Sequence, residues 1–200
     1  MWQLPTAWAD ERTLRDAWRD AQPFPYLVVD GFAVETELPR LLEILEDEPV
    51  ERYDNEIYTF EASAPEPITD AVRALRAELA SVLSPVLSRV TGRSVRRVDL
   101  RAYAYRVGNY LLPHTDHQDG LDRVLAYAYY LPSPEPPRGG ELELFRCEHR
   151  GGELPSTVSA QLIEPRANRL VVFDVSEVSL HQVREVLGGL RISLAGWFYP

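Results

Sequence analysis

Apolar residues recur along this chain at two different periods, and the change comes near Gly92. Before it the spacing is helical. Leu14, Trp18 and Ala21 fall on one helical face, and Pro23 ends that pattern. The run Tyr26-Leu27-Val28-Val29-Asp30-Gly31-Phe32 predicts a short buried strand ending in a turn. Leu38, Leu41, Leu42 and Leu45 predict a second helix. The longest helical signal covers about 66–90, where Ile68, Val72, Leu75, Leu79, Val82, Val86 and Val90 recur at intervals of three or four. Pro85, inside it, is expected to kink or split the helix, because it lacks an N–H and its ring crowds the preceding turn.

After Gly92, short β-rich runs alternate with turn residues: roughly 98–106, 110–115, 123–131, 141–145, 159–164, 169–174, 181–185 and 191–199. Gly108-Asn109, Asp119-Gly120, the proline-rich segment from Pro132, Gly139-Gly140, Gly151-Gly152, Pro165 and Gly188-Gly189 separate them. Closely spaced short strands of this kind predict an antiparallel sandwich or barrel of the jelly-roll type. The expected fold class is therefore mainly β with flanking helices. A single domain over 1–200 is expected, with a helical support region at about 1–92 packed outside a jelly-roll core at about 93–200.

Composition narrows the chemistry. The apolar fraction of 45% and charged fraction of 26% are ordinary for a globular protein. No apolar run approaches the ~20 residues of a membrane span, so no membrane association is expected. The first residues lack the basic and apolar regions of a secretory signal, and Cys147 is the single cysteine, so a cytoplasmic location is expected. The net charge of −10 argues against broad nucleic-acid binding, which needs a basic surface. All 21 positive side chains are arginine. Lysine Schiff-base chemistry is thereby excluded, and a carboxylate ligand must be gripped by arginine, hydroxyls or backbone. The acidic stretch 43–56 reads as a solvated face.

Four histidines are present: His114, His117, His149 and His181. The segment Leu112-Pro113-His114-Thr115-Asp116-His117-Gln118-Asp119-Gly120 holds two overlapping His-x-Asp pairs. Residues two apart on a strand point to one face, so such a pair at a strand end presents an imidazole and a carboxylate to one point. A distant third ligand completes a 2-His-1-carboxylate face with open positions, the arrangement of non-haem Fe(II) oxygenases. Tyr110-Leu111-Leu112 leads into His114 as a strand, whereas Asp119-Gly120 reads as a turn; His114 and Asp116 are therefore preferred over His117 and Asp119. The pair alone is weak and by itself reads better as polar loop residues. Two later features add to it. His181 lies in the strand-like run Ser179-Leu180-His181-Gln182-Val183, and Arg191-Ile192-Ser193 opens the last strand with Arg191 and Ser193 on one face. An arginine with a neighbouring hydroxyl suits the far carboxylate of a small dicarboxylate.

From about Arg101 onward the chain resembles the 2-oxoglutarate/Fe(II) oxygenases, in their prolyl-4-hydroxylase-like branch. The resemblance rests on Tyr105-Arg-Val-Gly-Asn-Tyr, His114-Thr-Asp116, Ala128-Tyr-Tyr130-Leu131, Gly139-Gly-Glu-Leu-Glu-Leu-Phe145, Asn168-Arg-Leu-Val-Val-Phe173, His181-Gln-Val and Arg191-Ile-Ser-Leu-Ala-Gly-Trp-Phe198. It implies that His114, Asp116 and His181 ligate iron, and that Arg191 pairs with the distal carboxylate of 2-oxoglutarate. It further implies that Tyr130 hydrogen-bonds the same carboxylate with Ser193 assisting, and that Tyr105 lies near the iron. Fe(II), 2-oxoglutarate and O₂ are the cofactors and co-substrates implied, with ascorbate an optional addition. Some collagen-type members carry lysine where this chain has Arg191. Related halogenases lack the carboxylate at the position of Asp116, so its presence implies hydroxylation.

Bland readings stand beside these. Gly139-Gly140 is expected to relieve backbone strain before a strand, Tyr127 and Tyr129 to pack the barrel, and Trp197 and Phe198 to be core. His117 reads as a solvated loop residue, and His149 and Cys147 as incidental. A hydroxylase of a prolyl residue in a protein or peptide and a hydroxylase of a free amino acid or small biosynthetic intermediate both remain open, as does oligomeric state. The competing class is a non-oxygenase, cupin-like metal protein. That class usually carries more histidines in the first motif and has no need of Arg191-x-Ser193.

Overall fold

The computed structural model describes residues 1–4, 8, 10–148 and 156–200; His149 and the Gly151-Gly152 turn lie outside them. Three α-helices are described: α1 (Glu11–Asp20), α2 (Leu38–Glu46) and α3 (Asp70–Thr91). The first strands are β1 (Tyr26–Asp30), β2 (Val50–Asp54), β3 (Tyr58–Ser63), β4 (Arg97–Val98), β5 (Arg101–Tyr105), β6 (Tyr110–His114) and β7 (Leu125–Tyr130). There follow β8 (Arg138–Gly139), β9 (Leu142–Glu148), β10 (Ser156–Ile163), β11 (Arg169–Asp174), β12 (His181–Val183), β13 (Val186–Gly188) and β14 (Arg191–Tyr199).

Local chemistry sets the helix ends. The Asp10 carboxylate accepts from Arg12 N and Thr13 N at 3.1 and 3.2 Å, and so caps α1. Thr69 caps α3 through Val72 N, and Gly92 closes it with φ +73°, a left-handed turn that glycine adopts without steric cost. Helix α3 runs through Pro85 as one element and is not split. Ile68 precedes the cap and is exposed, so it does not belong to the apolar face.

That face, including Val72, Leu75, Leu79, Leu83 and Leu87, packs with Leu100, Leu125, Leu170, Leu194 and Phe198 of the sheet. The helices thus cover the outside of a curled, antiparallel jelly-roll sheet. Its order runs β1-β11-β7-β14-β5-β3-β6-β12-β9-β10, with β2 on β3 and β4 on β14. Strand β7 shows the division into two faces. Tyr127 and Tyr129 join the helix-side cluster, whereas Ala126, Ala128 and Tyr130 join an inner cluster with Leu142, Leu144 and Phe173. The inward side chains Ala126, Ala128 and Ala195 are small, and that leaves the barrel mouth hollow.

Two details depart from the sequence reading. The hairpin β2–β3 lies inside the stretch expected to be helical, and β3 inserts between β5 and β6. Within the acidic stretch 43–56, Glu48 is buried rather than solvated: its carboxylate accepts from Ile68 N, Thr69 N and Thr69 Oγ at the start of α3.

Candidate metal centre and anion cradle

Strands β6 and β12 run antiparallel with His114 directly opposite His181, which brings two imidazoles 67 residues apart in sequence to a ring-centroid separation of 4.3 Å. Asp116 follows just beyond the end of β6. Its Oδ1 lies 3.8 Å from His114 Nε2 and its Oδ2 lies 3.5 Å from His181 Nε2. One donor atom from each residue falls within 4.8 Å of the others. These separations are too long for hydrogen bonds. They approach the roughly 3–4 Å expected between ligands bound ~2.1 Å from a common ion.

Protonation is arranged for the same purpose. His114 Nδ1 lies 2.9 Å from Leu112 O, and His181 Nδ1 lies 2.9 Å from Ser179 O. A carbonyl only accepts, so each Nδ1 carries the proton and each Nε2 presents its lone pair toward Asp116. Burial pushes the His181 imidazole below its ordinary range; Asp116 pulls it upward, His114 pushes it down again, and Ser179 O pulls it upward. The net direction favours the neutral, ligating form. The edge of Phe173, 4.6 Å between ring centroids, shields His181 further.

Arg191 opens β14 and is buried, 3% exposed. Its guanidinium lies 4.8 Å from the Tyr105 ring and 4.9 Å from the Tyr130 ring, and its Nη1 donates to Ser193 Oγ at 3.2 Å. No carboxylate of the described residues lies within ion-pair distance of it, and both its Nε and the buried Tyr130 hydroxyl lack a hydrogen-bond partner. A buried, unneutralised cation beside an unpaired hydroxyl is costly unless an anion arrives. The two orphaned groups and Ser193 therefore fit the far end of a small dicarboxylate. Gly140 makes room for the stem of Arg191: a Cβ there would come within 3.0 Å of Arg191 Cδ. Burial, opposed by Arg191, pushes the Tyr105 hydroxyl up, so it stays a neutral donor.

A cavity of ≈ 370 Å³ joins the triad to this cradle. It takes in His114, Asp116, His181, Arg191, Ser193 and Tyr105 together. His117 stays outside; its Nε2 lies 3.9 Å from both Asp119 and Glu177 on an exposed loop. Trp197, expected in the core, instead forms cavity wall, with Arg123 stacked 3.6 Å from its ring centre; Phe198 is core. Sequence reasoning missed Tyr53, Tyr58 and Phe60, which the β2–β3 hairpin brings to the same cavity. The alternation Tyr58-x-Phe60 behind an Asn55 turn is the signal that could have found them.

The family model of the 2OG-Fe(II) oxygenase superfamily matches residues 100–199. The prolyl 3-hydroxylase OGFOD1 of Xenopus laevis is 34% identical over 189 residues, which is 90% of this chain but 36% of that protein. The chain thus spans about a third of the length of the curated relatives it matches. Among solved structures, a Pseudomonas putida prolyl-4-hydroxylase superposes with a TM-score of 0.68 at 22% identity, over 93% of this chain and 98% of the other. A Trichoplax adhaerens prolyl hydroxylase, in complex with a hypoxia inducible factor oxygen degradation domain peptide fragment, gives 0.67 at 17% identity, over 98% and 94%. These structural likenesses establish the fold.

Proposed function

The chain belongs to the 2OG-Fe(II) oxygenase superfamily, and from that membership we propose that it is an Fe(II)- and 2-oxoglutarate-dependent hydroxylase acting on a prolyl residue of a peptide or protein. His114, Asp116 and His181 are the residues assigned to hold the metal. The observation that carries this reading is the pair of imidazoles with both Nδ1 protons tied to backbone carbonyls, aimed at one carboxylate, beside a buried arginine with no anion of its own.

When bound, Fe(II) with 2-oxoglutarate and O₂ supplies the oxidising power to place a hydroxyl on an unactivated C–H. The chain's own residues do the rest. The two imidazoles and Asp116 would hold the metal at the strand ends. Arg191 and the Tyr130 hydroxyl take the distal carboxylate, with Ser193 steadying the guanidinium. The rings of Tyr58, Phe60 and Trp197 keep water from the remaining space and leave an apolar surface for a pyrrolidine ring. The prolyl preference is supported by the names of the similar sequences and structures.

The test is anaerobic. Fe(II) followed by 2-oxoglutarate is added to metal-free protein, and the weak visible charge-transfer band of the chelate is sought. The band is expected in the native protein, and it is expected to disappear in His181→Ala. Iron binding without a band would refute the oxygenase reading in favour of a non-oxygenase metal protein.

A further inference from the structure

Among the described residues two arginines line the cavity, and the cradle uses one of them. The other is Arg101, on β5. Arg101, Tyr103 and Tyr105 alternate along the strand and face inward together. In the β5–β14 register Arg191 lies opposite Tyr105 and Ala195 opposite Arg101. The two arginine backbones are thus four residues apart along the ladder, roughly 14 Å. Their guanidiniums rest on different rings: Arg191 on Tyr105 and Tyr130, Arg101 at 5.1 Å from Tyr53 and 5.4 Å from Tyr103. The two guanidiniums therefore sit in separate aromatic settings.

The Arg101 side chain is held in place. Nε and Nη2 both donate to Ser63 O, at 2.8 and 2.6 Å. These bonds use two of the five N–H donors of a guanidinium. No carboxylate of the described residues lies within ion-pair distance of it. The surface arginines Arg73 and Arg106, by comparison, are each paired with an acid. In a chain of net charge −10, a cavity-lining arginine without an acid is a pre-set anion site.

We propose that Arg101, clamped between Tyr53, Tyr103 and the Ser63 carbonyl, receives a carboxylate of the primary substrate and so selects an acidic substrate for hydroxylation. The inference rests on the prolyl-hydroxylase reading and names its substrate class. The carboxylate belongs either to an acidic residue beside the target proline or to a free imino acid.

The experiment measures binding by calorimetry to protein loaded with Mn(II) and N-oxalylglycine, which does not turn over. Otherwise uncharged proline peptides carry one Glu, one or two residues before or after the proline, each matched with a neutral Gln peptide; L-proline is matched with L-prolinamide. At least one acidic member is expected to bind tenfold or more tightly than its neutral match. The advantage is expected to vanish in Arg101→Met and to return in part in Arg101→Lys. A Glu/Gln difference identifies a peptide carboxylate, and a proline/prolinamide difference identifies a free imino acid. No acid preference in any pair, or an equal loss for acidic and neutral members in Arg101→Met, would overturn the proposal. The Fe(II)–2-oxoglutarate band is read on the same variants. Its persistence in Arg101→Met shows an intact site, and its absence in the native protein sinks the oxygenase reading instead.

Discussion

Replacing Arg191 by methionine should leave the stability of the ligand-free protein nearly unchanged while weakening co-substrate binding. Methionine matches the length of the arginine stem and keeps contact with Tyr105 and Tyr130, but removes the charge. In the protein without ligand, the guanidinium is buried with no acid of the described residues beside it. Deleting a buried unpaired charge relieves a desolvation penalty. Against that stand two cation–π contacts at 4.8 and 4.9 Å, each worth about 1 kcal/mol, and the bond to Ser193 Oγ at 3.2 Å. The opposing effects nearly cancel, so the stability of the ligand-free protein should change by no more than about 1 kcal/mol. Affinity behaves otherwise. A bidentate grip on a carboxylate amounts to two charge-assisted bonds of about 1.5–2 kcal/mol each, about 3–4 kcal/mol together. At 1.4 kcal/mol per tenfold, 2-oxoglutarate binding should weaken roughly 10²–10³-fold. Thermal melting with and without 2-oxoglutarate, in the presence of Mn(II), reads both effects. The native protein should gain stability with added 2-oxoglutarate and Arg191→Met should not, while the two melt alike without it. A ligand-free loss of 3 kcal/mol or more would make Arg191 a structural ion-pair member, and unchanged 2-oxoglutarate affinity would remove it from the cradle.

Tyr130→Phe removes a buried hydroxyl that has no partner, so it should leave the ligand-free melting temperature unchanged or raised while weakening 2-oxoglutarate roughly tenfold, as read by titrating the visible band. His181→Ala and Asp116→Ala should each abolish the stabilisation by Mn(II) seen in melting; a variant that keeps it is not missing a ligand. Asn168 holds φ +62°, donates to Ala33 O at 3.0 Å, and accepts from Ala33 N at 2.7 Å and the Tyr129 hydroxyl at 2.9 Å, so Asn168→Ala should cost about 3 kcal/mol or more in denaturant unfolding. Burial raises the Glu48 carboxyl, but bonds from Ile68 N, Thr69 N and Thr69 Oγ together with Arg73 more than offset it and hold the group below its ordinary 4.5. Its contribution is therefore complete above about 4.5 and lost as pH falls through the lowered value. Glu48→Gln should destabilise by about 1.5–3 kcal/mol at neutral pH and by less under acid, and a pH-independent difference would refute the assignment.

The β half of the fold was legible because each strand carries its own evidence: alternation, β-branched and aromatic residues, and punctuation by glycine and proline. The runs 169–174 and 191–199 match β11 and β14 end to end. The features His-x-Asp, His and Arg-x-Ser pointed to a metal and an anion only in combination, each on its own expected strand; singly they read as polar loop, core histidine and surface salt bridge. The hairpin β2–β3 was not legible as cavity wall. In β2, Glu51, Arg52 and Asp54 are polar and exposed and the strand persists through its ladder to β3; β3, whose only pattern is Tyr58-x-Phe60, is fixed by its ladders to β5 and β6.

The sequence by itself determined the chemistry on offer: which side chains can ligate a metal, that arginine is the only fixed cationic side chain able to meet an anion, and that the second half must pair as strands. Tertiary structure decided which of those groups meet. The register of β6 on β12 sets His114 opposite His181, and the curl of the sheet faces Arg191 toward Tyr130 with no acid of the described residues in reach. It also decides that Trp197 lines a cavity while Phe198 fills the core, one residue apart on opposite faces of a strand. Residue identity fixes what a group can do, but proximity and desolvation, which decide what it does, exist only once distant segments are packed together.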